Sequence, residues 1–307
     1  MKRDFLSFAN LSPEQIWSLL ESATSLKEEA AGGQRTAHVQ DKVLVMVFQK
    51  PSLRTRVSFD VGMFQLGGYA VYLSPDEIKL GERESIPDAA RVLSRYGDAI
   101  MARVYAHADI VSMAHWASVP VINGLSDYNH PCQGLADLLT IYEKLGRLDG
   151  VRLAYVGDGN NVLHSLLLGG AAVGLHVVAA TPEGYGPLAN VMDQAERIAE
   201  QTGARLEVVK DPMEAVEGAD VIYTDTWTSM GQEEEAAERE RVFVAYQVNV
   251  ALLEHAGDDV GVMHCLPAHR GKEITDQVMD GTHSWVFDQA ENRLHAQKAV
   301  LTYVLEG

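Results

Sequence analysis

Ser52, Arg54, Thr55 and Arg56 stand together in "FQKPSLRTRVSFD", residues 48–60. Two cations and two hydroxyls in one place suit an anion, because a guanidinium matches phosphate oxygens with forked donors. Ser52 sits where a helix N-cap belongs, and the backbone N–H groups that follow have no partner inside a helix. A capped helix with solvated arginines would read the same way. Arg103 lies in "AIMARVY", between Ala102 and Val104. Once buried, it needs either a structural ion pair or an anion. "SDYNHPCQG" brings His130, Cys132 and Gln133 within four residues. A metal would need three or four ligands, and no CxxC or HxxxH spacing supplies the rest, so no metal is expected. His130 and Gln133 read as neutral hydrogen-bonding groups for a substrate, or as groups satisfied at a helix start.

Three further stretches carry chemistry. "GDGNNVLHS" follows an apolar run, but Val162 stands where G-x-G-x-x-G needs its third glycine. No nicotinamide or flavin cofactor is expected. Asn160 and Asn161 can instead offer amides to a ligand. In "TDTWTSMGQE", Asp225 brings a carboxylate, Ser229 a hydroxyl, and Met230 and Gly231 backbone N–H groups. That set matches an amino acid, with an anion for its ammonium and N–H groups for its carboxylate. An ordinary polar loop has the same composition. In "HCLPAHRG", Cys265 could be a nucleophile with His264 or His269 as base. Neighbours on a strand face opposite ways, and no third group orients a base, so Cys265 reads as a lining residue.

These stretches follow short β-branched runs. Residues 42–48, 70–73, 99–105, 119–125, 151–158, 176–182, 205–211, 220–227, 261–267 and 285–289 read as strands. Amphipathic helices are expected over 53–67, 87–97, 107–117, 161–174, 188–202 and 272–280. The alternation predicts an α/β fold with parallel sheets covered on both faces. Ten strands are many for one sheet. Two doubly wound domains are expected, joined by a helix over 135–150, where Leu135, Leu138, Leu139, Tyr142 and Leu145 keep helical spacing. Residues 1–134 with a last helix at about 290–307 would form the first domain, and 135–289 the second. The charge run 231–242 reads as a solvated helix or loop.

The totals narrow the partners. Against 25 Lys+Arg stand 43 Asp+Glu, a net charge of −18, which repels nucleic acid and anionic membrane. Two cysteines make no disulfide framework. Polar Asp4 and Asn10 interrupt any leader-like run, and 166–175 is too short to span a bilayer. A cytoplasmic protein is expected.

Taken together and in order, "SLRTR", "ARVY", "HPCQ", "GDGNN", "DTWTSMGQE", "HCLPAHRG" and "DQAENRLHAQKA" resemble the ornithine carbamoyltransferase family. "SMG" followed by "HCLP" points to the ornithine rather than the aspartate branch. The resemblance implies carbamoyl transfer from carbamoyl phosphate to L-ornithine, giving citrulline, with no cofactor. It implies that Ser52, the Leu53 backbone, Arg54 and Thr55 hold the phosphate. Arg103 would reach both the phosphate and the carbonyl oxygen, and His130 would hydrogen-bond that oxygen. Gln133, Arg293 and the backbone at Cys265 and Leu266 would orient the carbamoyl amide. Asn161, Asp225, Ser229 and Met230 would take ornithine. It also implies a homotrimer or a multiple of trimers, with Lys79 lent by a neighbouring subunit. One departure stands out: the family's phosphate motif has Thr where this chain has Leu53. The N–H remains, so weaker phosphate binding at most is expected. Other acceptors (putrescine, an acetylated ornithine, aspartate), a non-catalytic amino-acid-binding module and a nicotinamide dehydrogenase are the competing readings.

Overall fold

Parallel strands need crossovers to return the chain, and the helices between these strands supply them. The structure is a computed structural model describing residues 2–229 and 231–306. It divides into two units, one running to Leu139 and resuming at Glu291, the other spanning Thr140–Ala290.

The first unit opens with α1 (Pro13–Ala31), capped by Ser12 in a capping box with Gln15 and burying Ile16, Leu19, Leu20, Ala23 and Leu26. There follow β1 (Val43–Phe48), α2 (Leu53–Gln65), β2 (Tyr69–Leu73), α3 (Pro75–Ile78) and α4 (Ile86–Leu93). Then come β3 (Ala99–Arg103), α5 (His107–Trp116), β4 (Val121–Leu125) and α6 (Pro131–Leu145), which runs on into the second unit. The strand order is β2-β1-β3-β4, all parallel, with Val45 paired to Val71 on one side and Ile100 on the other. The chain leaves β1 to one side and returns to the other at β3. Such a switch point opens a crevice beyond the carboxyl ends of the two strands. Ser52–Arg56 follow β1, and Arg103 ends β3.

The second unit contains β5 (Arg152–Val156), α7 (Asn161–Ala172), β6 (His176–Ala180), α8 (Ala189–Thr202), β7 (Arg205–Val209) and α9 (Pro212–Val216). It continues with β8 (Val221–Thr224), α10 (Ala236–Phe243), α11 (Val250–Ala256), β9 (Gly261–His264) and α12 (Asp276–Met279). Its order is β7-β6-β5-β8-β9, again all parallel, with the switch point between β5 and β8. Loops 157–160 and 225–229 leave those two strands. The last helix, α13 (Val286–Leu305), begins here and ends in the first unit, where Lys298 donates to the Leu26 carbonyl at 3.3 Å and Lys27 to Asn292 at 2.7 Å.

The expected fold is present: two parallel-sheet α/β units, a linking helix, and a terminal helix packed on the first unit. Two local expectations are corrected, and two features were not foreseen. Residues 285–289 are not a strand; Trp285 ends a short pairing beside β9 through its N–H to the Val262 carbonyl, and the helix starts at Val286. The expected helix 272–280 shrinks to the single turn α12. No element was expected where α1 stands. Residues 231–242 are largely exposed, but Arg239 is buried.

Candidate active site

In the first unit Ser52 has extended backbone (φ −159°, ψ 117°), and its hydroxyl accepts from the Thr55 N–H at 3.4 Å. That is an N-cap, and the remaining first-turn N–H groups of α2 have no intrahelical acceptor. Leu53 turns its side chain outward, 74% exposed, so the missing hydroxyl leaves the backbone of this turn as it is. Thr55 is buried, and its Oγ1 accepts from Ser52 at 3.1 Å and from Arg293 Nη2 at 3.2 Å. With both acceptor positions occupied, its own hydrogen is directed elsewhere. Arg293 Nη1 donates to Gln133 Oε1 at 2.6 Å, and Gln133 Nε2 donates to Asp137 at 2.8 Å. One buried chain of polar groups thus fixes α2, α6 and α13 to one another.

His130 precedes α6 and is buried. Its pKa lies well below the ordinary histidine value, first through burial and then through Arg293, Arg103 and Arg54. Three guanidiniums therefore act on one neutral imidazole, and such a concentration of like charge favours an anion. Arg56 is not part of it: exposed, it lies over the Tyr72 ring, 4.0 Å from the centroid. Cys132 is buried with its thiol pushed up to about 12, and it faces the Asn123 carbonyl at 3.4 Å, so it is no nucleophile. Lys79 is exposed at the left-handed C-cap of α3, φ 41°.

In the second unit Asn160 caps α7, accepting from the Val162 and Leu163 N–H groups at 2.9 and 3.3 Å. Its amide donates to Asp225 Oδ2 at 2.8 Å. The expectation that Asn160 serves a ligand is corrected, since its side chain is engaged within the fold. Asn161, the first residue of α7, and Ser229 are half-buried. Asp225 is buried; its Oδ1 accepts the Cys265 thiol at 2.9 Å and the Thr226 N–H at 2.7 Å. Carboxylate oxygens hold about four lone-pair positions, so capacity for an ammonium remains. The Met230 expectation falls outside the described residues.

Cys265 follows β9, and Leu266 takes the left-handed region (φ 58°) before a cis peptide to Pro267. The Leu266 N–H donates to His264 Nδ1 at 2.8 Å, which places the ring hydrogen on Nε2, 3.2 Å from Glu273 Oε1. Against its burial, hydrogen bonds from His264 and the His269 N–H hold the Glu273 carboxyl below its ordinary value. The backbone turn at Cys265 and Leu266 is thus braced from beneath. Asp225, His264 and Cys265 bring ligand-type atoms within 4.8 Å of one another. Each of those groups already has a protein partner, and the set reads as a hydrogen-bonded network. Sequence reasoning missed Asp137, Glu273 and Gln289. Gln289 is buried and joins the His264 N–H to the Tyr223 hydroxyl at 2.8 and 3.0 Å. Its signal was the four-residue spacing of Gln289, Arg293 and Gln297.

Two α/β units each gather polar groups at their sheet's switch point, where open α/β sheets bind ligands. Residues 3–143 match the family described as "Aspartate/ornithine carbamoyltransferase, carbamoyl-P binding domain", and residues 149–304 match its "Asp/Orn binding domain". The chain belongs to the aspartate/ornithine carbamoyltransferase family. It is 56% identical over 305 residues to the ornithine carbamoyltransferase of Pyrococcus horikoshii, covering 99% of this chain and 96% of that one. It is 55% identical over 305 residues to one of Pyrococcus furiosus called anabolic, covering 99% and 97%. A solved ornithine carbamoyltransferase structure from Pyrococcus furiosus superposes with a TM-score of 0.97, covering 100% of this chain and 98% of that one at 55% identity. An anabolic one from Campylobacter jejuni gives 0.94 at 35% identity, with 99% of each chain covered.

Proposed function

We propose that this carbamoyltransferase moves the carbamoyl group of carbamoyl phosphate to the side-chain amine of L-ornithine, giving L-citrulline and phosphate, in arginine biosynthesis. The observation that carries the reading is the capped first turn of α2 after β1, where buried Thr55 is joined to Arg293 and through it to Gln133. The family match and the names of the relatives support the same reaction.

Ser52, the Leu53 N–H, Arg54 and Thr55 take the phosphate, with Lys79 of a neighbouring subunit. Arg103, His130 and the Thr55 hydroxyl face the carbonyl oxygen. Gln133, Arg293 and the backbone at Cys265 and Leu266 orient the carbamoyl amide. Asp225, Asn161 and Ser229 take the α-amino and α-carboxylate groups of ornithine, and Met230 is assigned there by sequence alone. The neutral amine attacks the carbonyl carbon, and negative charge develops on its oxygen. Donors already fixed in place stabilise that charge without reorganising. The C–O bond to phosphate then breaks, the departing phosphate takes up the amine proton, and the arginines hold that phosphate. Holding the two substrates in place supplies much of the rate.

An alkyl ammonium has a pKa of about 10.4, so about one molecule in 10³ is neutral near pH 7. Activity should therefore rise from pH 6 to 9, and a flat profile would speak against attack by the free amine. The direct test is citrulline formation from ornithine, beside reactions with putrescine, N-acetylornithine and aspartate. Turnover with ornithine alone is expected. Turnover with another acceptor in its place would keep the phosphate site and overturn the reading of the second unit.

The protein is assigned to the cytoplasm as a homotrimer or multiple of trimers. Leu53, Val57, Val61 and Phe64 support assembly: spaced along α2, they leave an apolar stripe exposed. No helix among the described residues is long and apolar enough to cross a membrane. Cys132 and Cys265 are both free thiols, which suits a reducing compartment.

A further inference from the structure

Arg239 belongs to the acidic segment 231–242, yet it is only 6% exposed. A buried guanidinium needs acceptors, and this one has three. Nη1 lies 3.1 Å from the Asp158 carboxylate and donates to the Trp227 carbonyl at 3.0 Å, while Nε donates to Glu235 at 2.9 Å. The guanidinium also lies over the Tyr185 ring, 5.0 Å from its centroid. Glu235 is on the same face of the same segment, so that bond is local. Asp158 and Trp227 are not local: they sit on the two loops that leave β5 and β8 at the switch point.

Each of those loops carries or leads directly into residues assigned above to ornithine. Asp158 is three residues before Asn161, and the Tyr155 hydroxyl pins the Asp158 carbonyl at 2.8 Å. Trp227 lies midway between Asp225 and Ser229. The loops are already joined once, through Asn160 and Asp225 at 2.8 Å. Arg239 joins them a second time, from α10. Two separate ties fix both the spacing and the tilt of a pair of loops, where one tie leaves a pivot. Burial pushes the Asp158 carboxyl up to about 6; Arg239 opposes that shift, and Asp225 and Glu235 add to it. A lysine would replace Arg239 only in part, because one ammonium lacks the planar fork that reaches three acceptors.

We infer that Arg239 is a positioning residue, whose guanidinium locks loops 157–161 and 225–229 at the spacing that receives the α-amino and α-carboxylate groups of the amino-acid substrate. This rests on the reading of the second unit as the ornithine site. It also gives the charge run a role: α10 carries the lock on a segment that is otherwise solvated.

The test is steady-state kinetics of Arg239→Met, Arg239→Lys and Asp158→Asn, with Ser229→Ala in parallel and circular dichroism to confirm folding. Arg239→Met and Asp158→Asn should raise KM for ornithine about tenfold or more, the effect of losing a charge-assisted hydrogen bond. KM for carbamoyl phosphate should stay within about twofold. Arg239→Lys should recover part of the loss. Combining Arg239→Met with Asp158→Asn should cost no more than the worse single change, since both break one interaction. A general loss in both KM values, or a lower melting temperature with both KM values unchanged, would make Arg239 merely structural. If Arg239→Met fails to fold, Asp158→Asn and Arg239→Lys carry the same comparison. Should Ser229→Ala leave KM for ornithine unchanged, the ornithine reading itself fails. Should Ser229→Ala raise it while the other variants do not, only the Arg239 inference fails.

Discussion

At His130 the charge state sets the role. Burial and three arginines keep the imidazole neutral, so it can donate one hydrogen bond to a carbonyl oxygen and is not itself a cation. The unfolded chain takes up this proton near pH 6.5, whereas the folded chain does so only well below that. The folded state is therefore favoured in full above the ordinary value, and that contribution is lost as pH falls from 6.5 toward the depressed one. His130→Asn, which has no such proton to gain, should flatten part of the fall in unfolding free energy measured in urea from pH 7 to 5. An unchanged slope would put the proton uptake elsewhere. The same variant should lower kcat by about 10²-fold, the effect of removing one donor to a developing oxyanion. His130 was legible because it stood beside Gln133 ahead of a helical pattern. Arg54 and Arg103 were legible too, each as an anion candidate, but their gathering with Arg293 around His130 was not, since the three come from distant positions and only the resemblance drew Arg293 in.

At the scale of elements, the glycines of "GDGNN" show why a dinucleotide-like stretch can serve another end. Gly157 has φ 148°, a conformation side chains rarely adopt. A Cβ on Gly159 would stand 2.3 Å from the Gly186 carbonyl carbon and 2.5 Å from the Pro187 nitrogen. Both atoms are backbone and cannot swing aside, so the second glycine lets loop 186–187 pack against the start of α7. Gly159→Ala should destabilise the protein by about 1–3 kcal/mol in chemical denaturation. Gly186→Ala, whose added Cβ meets only Thr181 Oγ1 at 3.6 Å, should be nearly neutral. Equal effects would remove the packing explanation. The inner strands β1, β3, β5 and β8 were legible to within a few residues because continuous burial left unbroken apolar runs. α13 was misread at its start because Trp285, Val286 and Phe287 look like strand, while its buried positions Gln289, Asn292, Arg293 and Gln297 are polar. α1 carried a complete signal in Ser12, Gln15 and the apolar positions 16, 19, 20, 23 and 26.

For the whole molecule, the exposed stripe on α2 has a consequence for assembly. Leu53 at 74% and Phe64 at 69% exposure mark its two ends, with Val57 and Val61 between them. A charge placed in such a stripe cannot be desolvated cheaply. For the proposed trimer or multiple of trimers, Val61→Glu should reduce the mass in sedimentation equilibrium to that of a monomer; an unchanged mass would overturn the assignment of this stripe to an interface. The exposure of this stripe was beyond what residue spacing could tell, because an apolar helix face reads alike whether it meets a core or lies open. The two-unit plan was legible from strand count and from the helical spacing read over 135–150, although the helix itself, α6, runs over Pro131–Leu145. What spacing could not supply was the pairing of distant groups such as Thr55, Gln133 and Arg293, which only folding brings together.

The central claim is that the first unit holds carbamoyl phosphate and the second holds ornithine. The most direct measurement is the pair of KM values for Arg54→Ala and Asp225→Ala, each determined for both substrates. Losing one charge-assisted contact should weaken binding by about 10- to 100-fold. Arg54→Ala should therefore raise KM for carbamoyl phosphate by that factor and Asp225→Ala that for ornithine, each leaving the other KM within about threefold. The reverse pattern, or near-normal kinetics in both variants, would contradict the assignment of the two sites.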